Sequence, residues 1–165
     1  MKKLILKTIC LVAFAALTTT VANAQQKNDM AVGGNIVIGT GHDVTNLGIG
    51  AKFQWTAIDN LRFEPSITYF FKSDYVTMWD FSVNAHYMFE VGDNIYLYPL
   101  AGLGLLSTNV DFGYGFSASS TDFAFNFGGG VEYQFTSNLS ANFELKFKIT
   151  DFDRALFSFG IAYKL

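Results

Sequence analysis

The sequence contains one cysteine, Cys10, and it falls in a leader expected to be removed. A mature chain without thiols excludes a disulfide scaffold and thiol catalysis. Cys10 is also a poor site for lipid attachment, because the bulky Ile9 precedes it and the apolar core follows it. Prolines number only two, Pro65 and Pro99. With no low-complexity tract either, nothing suggests a linker, so a single domain with no second, wall-binding domain is expected. No uncharged helical stretch reaches the ~20 residues that a helical membrane span requires. Basic residues are scarce as well. The leader carries three of the eleven, leaving eight against fourteen acidic residues and a formal charge of −6, so nucleic acid is not an expected partner.

What is present begins with that leader. Lys2, Lys3 and Lys7 precede an apolar run from about Ile9 to Leu17, followed by the small-x-small sequence Ala22-Asn23-Ala24. This is the pattern of a secretory signal peptide over residues 1–24, with residues 25–165 as the mature domain.

Along most of the mature chain apolar and polar residues alternate strictly. From Leu139 to Ile149 every odd position is apolar and every even one small, polar or charged. This is the period of a strand with one greasy and one wet face. Turn signals divide the chain into eight such segments, near 30–39, 47–56, 61–71, 77–89, 95–106, 121–135, 139–149 and 155–165. The tight links at 57–60, 91–94 and 136–138 alternate with longer ones at 40–46, 72–76, 107–120 and 150–154. The fold class expected is all-β: an eight-stranded antiparallel up-and-down barrel.

Volume decides which face points inward. One face carries most of the rings and branched chains, among them Trp55, Phe81, Val83, Phe125, Phe127, Phe147, Phe159 and Tyr163. Eight strands enclose only enough space for modest side chains, so this face cannot be the interior of a soluble barrel and must meet lipid. Its aromatics fall into two groups, one toward the short turns and one toward the longer links, with Ile67, Val83, Ala85 and Leu97 between them. These are the two girdles of a transmembrane β-barrel. The opposite face holds glycines interleaved with charges of both signs: Lys52, Arg62, Lys146, Lys148 and Lys164 against Glu64, Asp80, Asp122, Glu132 and Glu144, together with His86.

The leader, the eight alternating strands, the stretch Tyr98-Pro-Leu-Ala-Gly-Leu-Gly104 and the terminal alternation through Tyr163 to Leu165 resemble the small outer-membrane β-barrel family of OmpX and the OmpA membrane domain. The closing Leu165, where the commonest ending is Phe, departs from that pattern. The resemblance implies a barrel in the outer membrane with both termini periplasmic, in contact with outer-membrane lipid and lipopolysaccharide and monomeric. It also implies a structural or surface-interaction role in envelope stability, adhesion or recognition, with a surface protein or host ligand met at the outer loops. A narrow porin-like channel and a lipid A-modifying enzyme are the alternatives.

The balanced signs favour a salt-bridged plug of interior charges over a proton or ion path. Metal binding at His86 is not expected, since the mature chain offers no cysteine or third histidine for the common ligand sets, and no cofactor is called for. His42, Ser73 and Asp74 are the one grouping with the residue types of an acyl-transfer site, but they lack any surrounding motif, and no enzyme is expected. Phe112, Tyr114 and Phe116 share one parity in the longest link. They are either a row standing above the membrane as an interaction surface or rings folded over the barrel mouth.

Overall fold

The computed structural model describes residues 28–41, 44–73, 76–111, 117–150 and 153–165. The expected signal peptide lies outside them, as do His42, Asp74, Phe112, Tyr114 and Phe116. The described residues form nine strand segments and short turns, with no helix among them. The segments are β1 (Met30–Gly41), β2 (Val44–Ile58), β3 (Leu61–Ser73), β4 (Val76–Tyr87), β5 (Phe89–Gly92), β6 (Ile95–Asp111), β7 (Ser117–Gln134), β8 (Leu139–Ile149) and β9 (Arg154–Lys164).

Each segment pairs antiparallel with its sequence neighbour except that β4 pairs with β6 rather than β5, and β9 returns to β1 with Ile36 opposite Phe159, which closes the cylinder. Segments β4 and β5 are two pieces of one stave. The expected continuous fourth strand is broken at Met88, and the reason lies across the ladder. The β4–β6 register ends at His86 opposite Leu100, so the next residue of β6 is Pro99, which has no N–H to give. Pairing resumes with Phe89 opposite Leu97. Met88 turns inward and its N–H donates to the Asn60 carbonyl at 2.7 Å.

The tight turns lie where expected. Ile58 pairs with Leu61 around Asp59-Asn60, and Gly92 with Ile95 around Asp93-Asn94. In each, the asparagine takes a left-handed backbone, φ 71° at Asn60 and 64° at Asn94, which its short polar side chain tolerates. The opposite end differs from expectation. The link read as 107–120 is mostly strand, since the β6–β7 ladder runs on to Asp111 opposite Ser117. Ser107, Asn109, Ser119 and Thr121 occupy positions that carry Leu and Phe lower down. A strand that has risen out of lipid no longer needs an apolar outer face, so its sequence reads as a loop.

The assigned faces hold. Burial alternates residue by residue along β4 and β9. Val83 is 54% exposed while its neighbour Asn84 is 0% exposed. The apolar and aromatic residues lie outside, and Arg62, Glu64, His86, Glu132 and Lys148 are among the buried ones.

Candidate functional site

The interior is layered along the barrel axis. Near the longer links Val37, Phe70, Met78, Leu106 and Leu156 form an apolar layer. Over it lies Arg154, whose guanidinium carbon is 5.3 Å from the Phe70 ring centroid and whose Nη2 donates to Asn46 Oδ1 at 2.7 Å. An entirely polar interior was expected, so this layer is a correction. The layer draws one residue from each of five staves, and apolar side chains fill space there without needing hydrogen-bond partners.

Below it Lys148 Nζ lies 2.8 Å from Asp80 Oδ2, and Ser82 Oγ donates to Asp80 Oδ1 at 2.6 Å. Asn126 Nδ2 donates to Ser82 Oγ at 3.1 Å and to Asn84 Oδ1 at 2.9 Å, which ties β7 to β4 across the lumen. The centre holds three further ion pairs: Arg62–Glu132 at 2.7 Å, Lys52–Glu64 at 3.5 Å and Lys146–Glu144 at 3.6 Å. Four interior cations thus face four carboxylates. That is the arrangement in which burial is tolerable, because each charge keeps a counter-ion after losing its water. Glycines make room for the lysine stems. A Cβ on Gly104 would come within 2.9 Å of Lys148 Nζ, and one on Gly160 within 2.9 Å of Lys52 Nζ.

His86 is fully buried and stacks on Tyr98 with ring centroids 4.7 Å apart and planes 17° from parallel. Its Nδ1 lies 3.2 Å from Arg62 Nη2. Tyr98 in turn donates to Glu144 at 3.2 Å and accepts from Asn142 at 3.0 Å. Glu64, His86 and Glu144 bring one ligand-type atom each within 4.8 Å of one another, a grouping the sequence did not reveal. Its surroundings suit a metal poorly, because Arg62 already occupies His86 Nδ1. A guanidinium only donates, so Nδ1 is the accepting nitrogen of a neutral imidazole and Nε2 carries the hydrogen. Each carboxylate also already faces an ammonium group.

Of the interior residues expected from sequence, Lys52, Arg62, Glu64, Asp80, His86, Glu132, Glu144, Lys146 and Lys148 come together in this network. Two lie outside it. Asp122 is half-buried on the risen part of β7 and accepts from Ser120 Oγ at 3.3 Å, while Lys164 pairs with Asp29 at 2.7 Å at the end that bears the chain termini. Asp122 keeps inward parity but stands beyond the level of the ion pairs, and Lys164 is the last inward position of β9. Ser73 closes β3 opposite Val76, while the other two members of its grouping lie outside the described residues. Arg154 was assigned to a link. Carrying the Leu156-Ser158-Gly160 parity back by one step would have found it.

With this geometry in view, the sequence matches the family model described as "Outer membrane protein beta-barrel domain" over residues 9–164. The chain belongs to that family. As an outer-membrane barrel it shares its fold with solved structures of low identity. Neisserial surface protein A is 17% identical with a TM-score of 0.69, covering 83% of this chain and 96% of that one. The N-terminal β-barrel domain of Pseudomonas aeruginosa OprF is 18% identical with a TM-score of 0.69, covering 86% and 100%. Ail, the attachment invasion locus protein of Yersinia pestis, has been solved with the heparin analogue sucrose octasulfate; it is 16% identical with a TM-score of 0.62, covering 84% and 97%. A search of curated proteins finds no match. The likeness to solved barrels carries the fold alone. It assigns this outer-membrane barrel no ligand.

Proposed function

We propose that this barrel is a structural and surface-recognition protein of the outer membrane. In this reading its interior serves as a rigid plug, its chain ends lie in the periplasm, and its outer rim does the binding while lipid and lipopolysaccharide surround a single copy. The observation that carries the reading is the uneven rim. The β7–β8 ladder stops at Phe125 opposite Ile149, whereas β7 continues through Ser117 paired to β6 alone. Among the described residues, Ser117–Ala124 therefore offers one unpaired backbone edge, roughly 25 Å long at the rise of an antiparallel strand. Such an edge accepts an extended peptide through main-chain hydrogen bonds. A partner with a free strand or extended segment is the class it fits.

The filled interior weighs against a porin. Four charge pairs and an apolar layer occupy much of the space that eight strands enclose. The binding of a heparin analogue by Ail is a precedent for recognition on a barrel of this shape.

The test uses a deletion strain complemented with wild type, or with Ser119→Lys plus Thr121→Lys, which place charge along the edge. Detergent sensitivity reports the envelope role, and adhesion to immobilised extracellular proteins reports recognition. Deletion should abolish adhesion, and the edge variant, though folded, should fail to restore it. Wild-type adhesion by the edge variant would overturn the recognition role.

A further inference from the structure

At the end bearing the chain termini the barrel contains a cavity of about 370 Å³, within the size range of small-molecule sites. It is separate from the rim argued above. Two features define what it can hold. First, its charges are already matched: Arg62 with Glu132 at 2.7 Å, and Lys164 with Asp29 at 2.7 Å. An ionic ligand would have to compete with one of these pairs, and the Arg62 pair is buried, where separating charges is costly. A neutral ligand meets no such barrier. Second, the rest of the polar lining consists of amides and hydroxyls, Gln54, Thr56, Gln134, Asn138 and Ser140, groups that both donate and accept. The ring of Tyr96 supplies apolar surface beside them.

Deeper entry is blocked by Met88 and by the stacked His86–Tyr98 pair, so the cavity is a cup with a closed floor.

We propose that this cup binds a neutral, polyhydroxylated ligand of the saccharide class. Hydroxyl groups of the sugar exchange hydrogen bonds with the amides and hydroxyls of the wall, and the C–H face of the ring lies on Tyr96.

The experiment titrates the refolded protein, in phosphocholine micelles free of sugar headgroups, with N-acetylglucosamine. Glycine serves as the zwitterionic control and inorganic phosphate as the anionic one, and the side-chain amide signal of Gln54 is followed by NMR. The saccharide should give a saturable shift with half-saturation of about 1–10 mM, and the controls none. Ser140→Trp, which fills the cup, should abolish the shift. Gln134→Ala should weaken binding about fivefold, the usual cost of one hydrogen bond, and it decides the matter if the tryptophan variant does not fold. No saturable shift with the saccharide, an equal response to glycine or phosphate, or unchanged saccharide binding in the folded variants would overturn the proposal.

Discussion

Replacing Glu132 by Leu leaves the Arg62 guanidinium in the barrel interior without its carboxylate. Their side chains are 3% and 1% exposed and 2.7 Å apart, so each compensates the other for the water lost on burial. Removing one member of such a buried pair costs about 3–5 kcal/mol, a shift of roughly a hundredfold to several thousandfold in the folding equilibrium. Arg62→Met should cost a similar amount, since it removes the counter-ion 2.7 Å from Glu132. In the double variant no charge is left bare. Its remaining penalty is the loss of the Arg62 contact at His86 Nδ1, 3.2 Å away, which leaves one buried acceptor unpaired at about 1–3 kcal/mol. The double variant should therefore be no less stable than either single one, with a coupling of several kcal/mol. Reversible urea unfolding from lipid vesicles measures all four proteins. Trp55 and Trp79, the chain's two tryptophans, are both on the lipid face and report the transfer to water. Additive losses in the double variant would refute the argument that the pair holds its charges jointly.

Two further outcomes follow from the same geometry. Val83→Arg, on the lipid face in the middle of β4, should cost about 2–4 kcal/mol, while Val91→Arg, equally exposed but beside the Asp93-Asn94 turn, should cost about 0–1 kcal/mol, because the penalty for charge falls toward the membrane interface; equal losses in vesicle unfolding would show that the turns do not mark the interface. In planar bilayers the refolded protein should show no large, stable conductance, because the apolar layer around Phe70 and the paired charges occlude the axis; steady openings that pass sugars in a swelling assay would refute the plug.

The faces of the strands were legible because alternation is a local property, set by the backbone at each residue. Val83 and Asn84 differ in burial as their parity demands. Pairing across the lumen is not local. Arg62 meets Glu132 from a strand that is not its neighbour, seventy residues along the chain, and only the tilt and stagger of the closed cylinder bring the two to the same height. The rise of β6 and β7 beyond the membrane was hidden for the reason that defines it: Ser107, Asn109, Ser119 and Thr121 have left lipid, and the apolar half of the pattern goes with it. The break at Met88 was written in Pro99, but its effect on another strand appears only once the register is known.

That break also divides the wall into two kinds. Up to Tyr87 the fourth stave is hydrogen-bonded on both sides, to β3 and to β6, and a change in length there must be absorbed by the whole ring. Past Met88, β5 is paired to β6 alone among the described residues, so Phe89–Gly92 flanks the cylinder, while Asn94, whose carbonyl accepts from Gln134 N–H, and Ile95, opposite Tyr133, belong to its wall. Lengthening or shortening the chain before Asp93 leaves the β6–β7 register untouched, whereas the same change at Asp59-Asn60 shifts a turn joining two paired staves. Among the described residues the barrel thus has a place on its terminal rim where sequence length is free to vary, and Tyr96, opposite Glu90 of β5, is a wall of the cup that such variation would reshape.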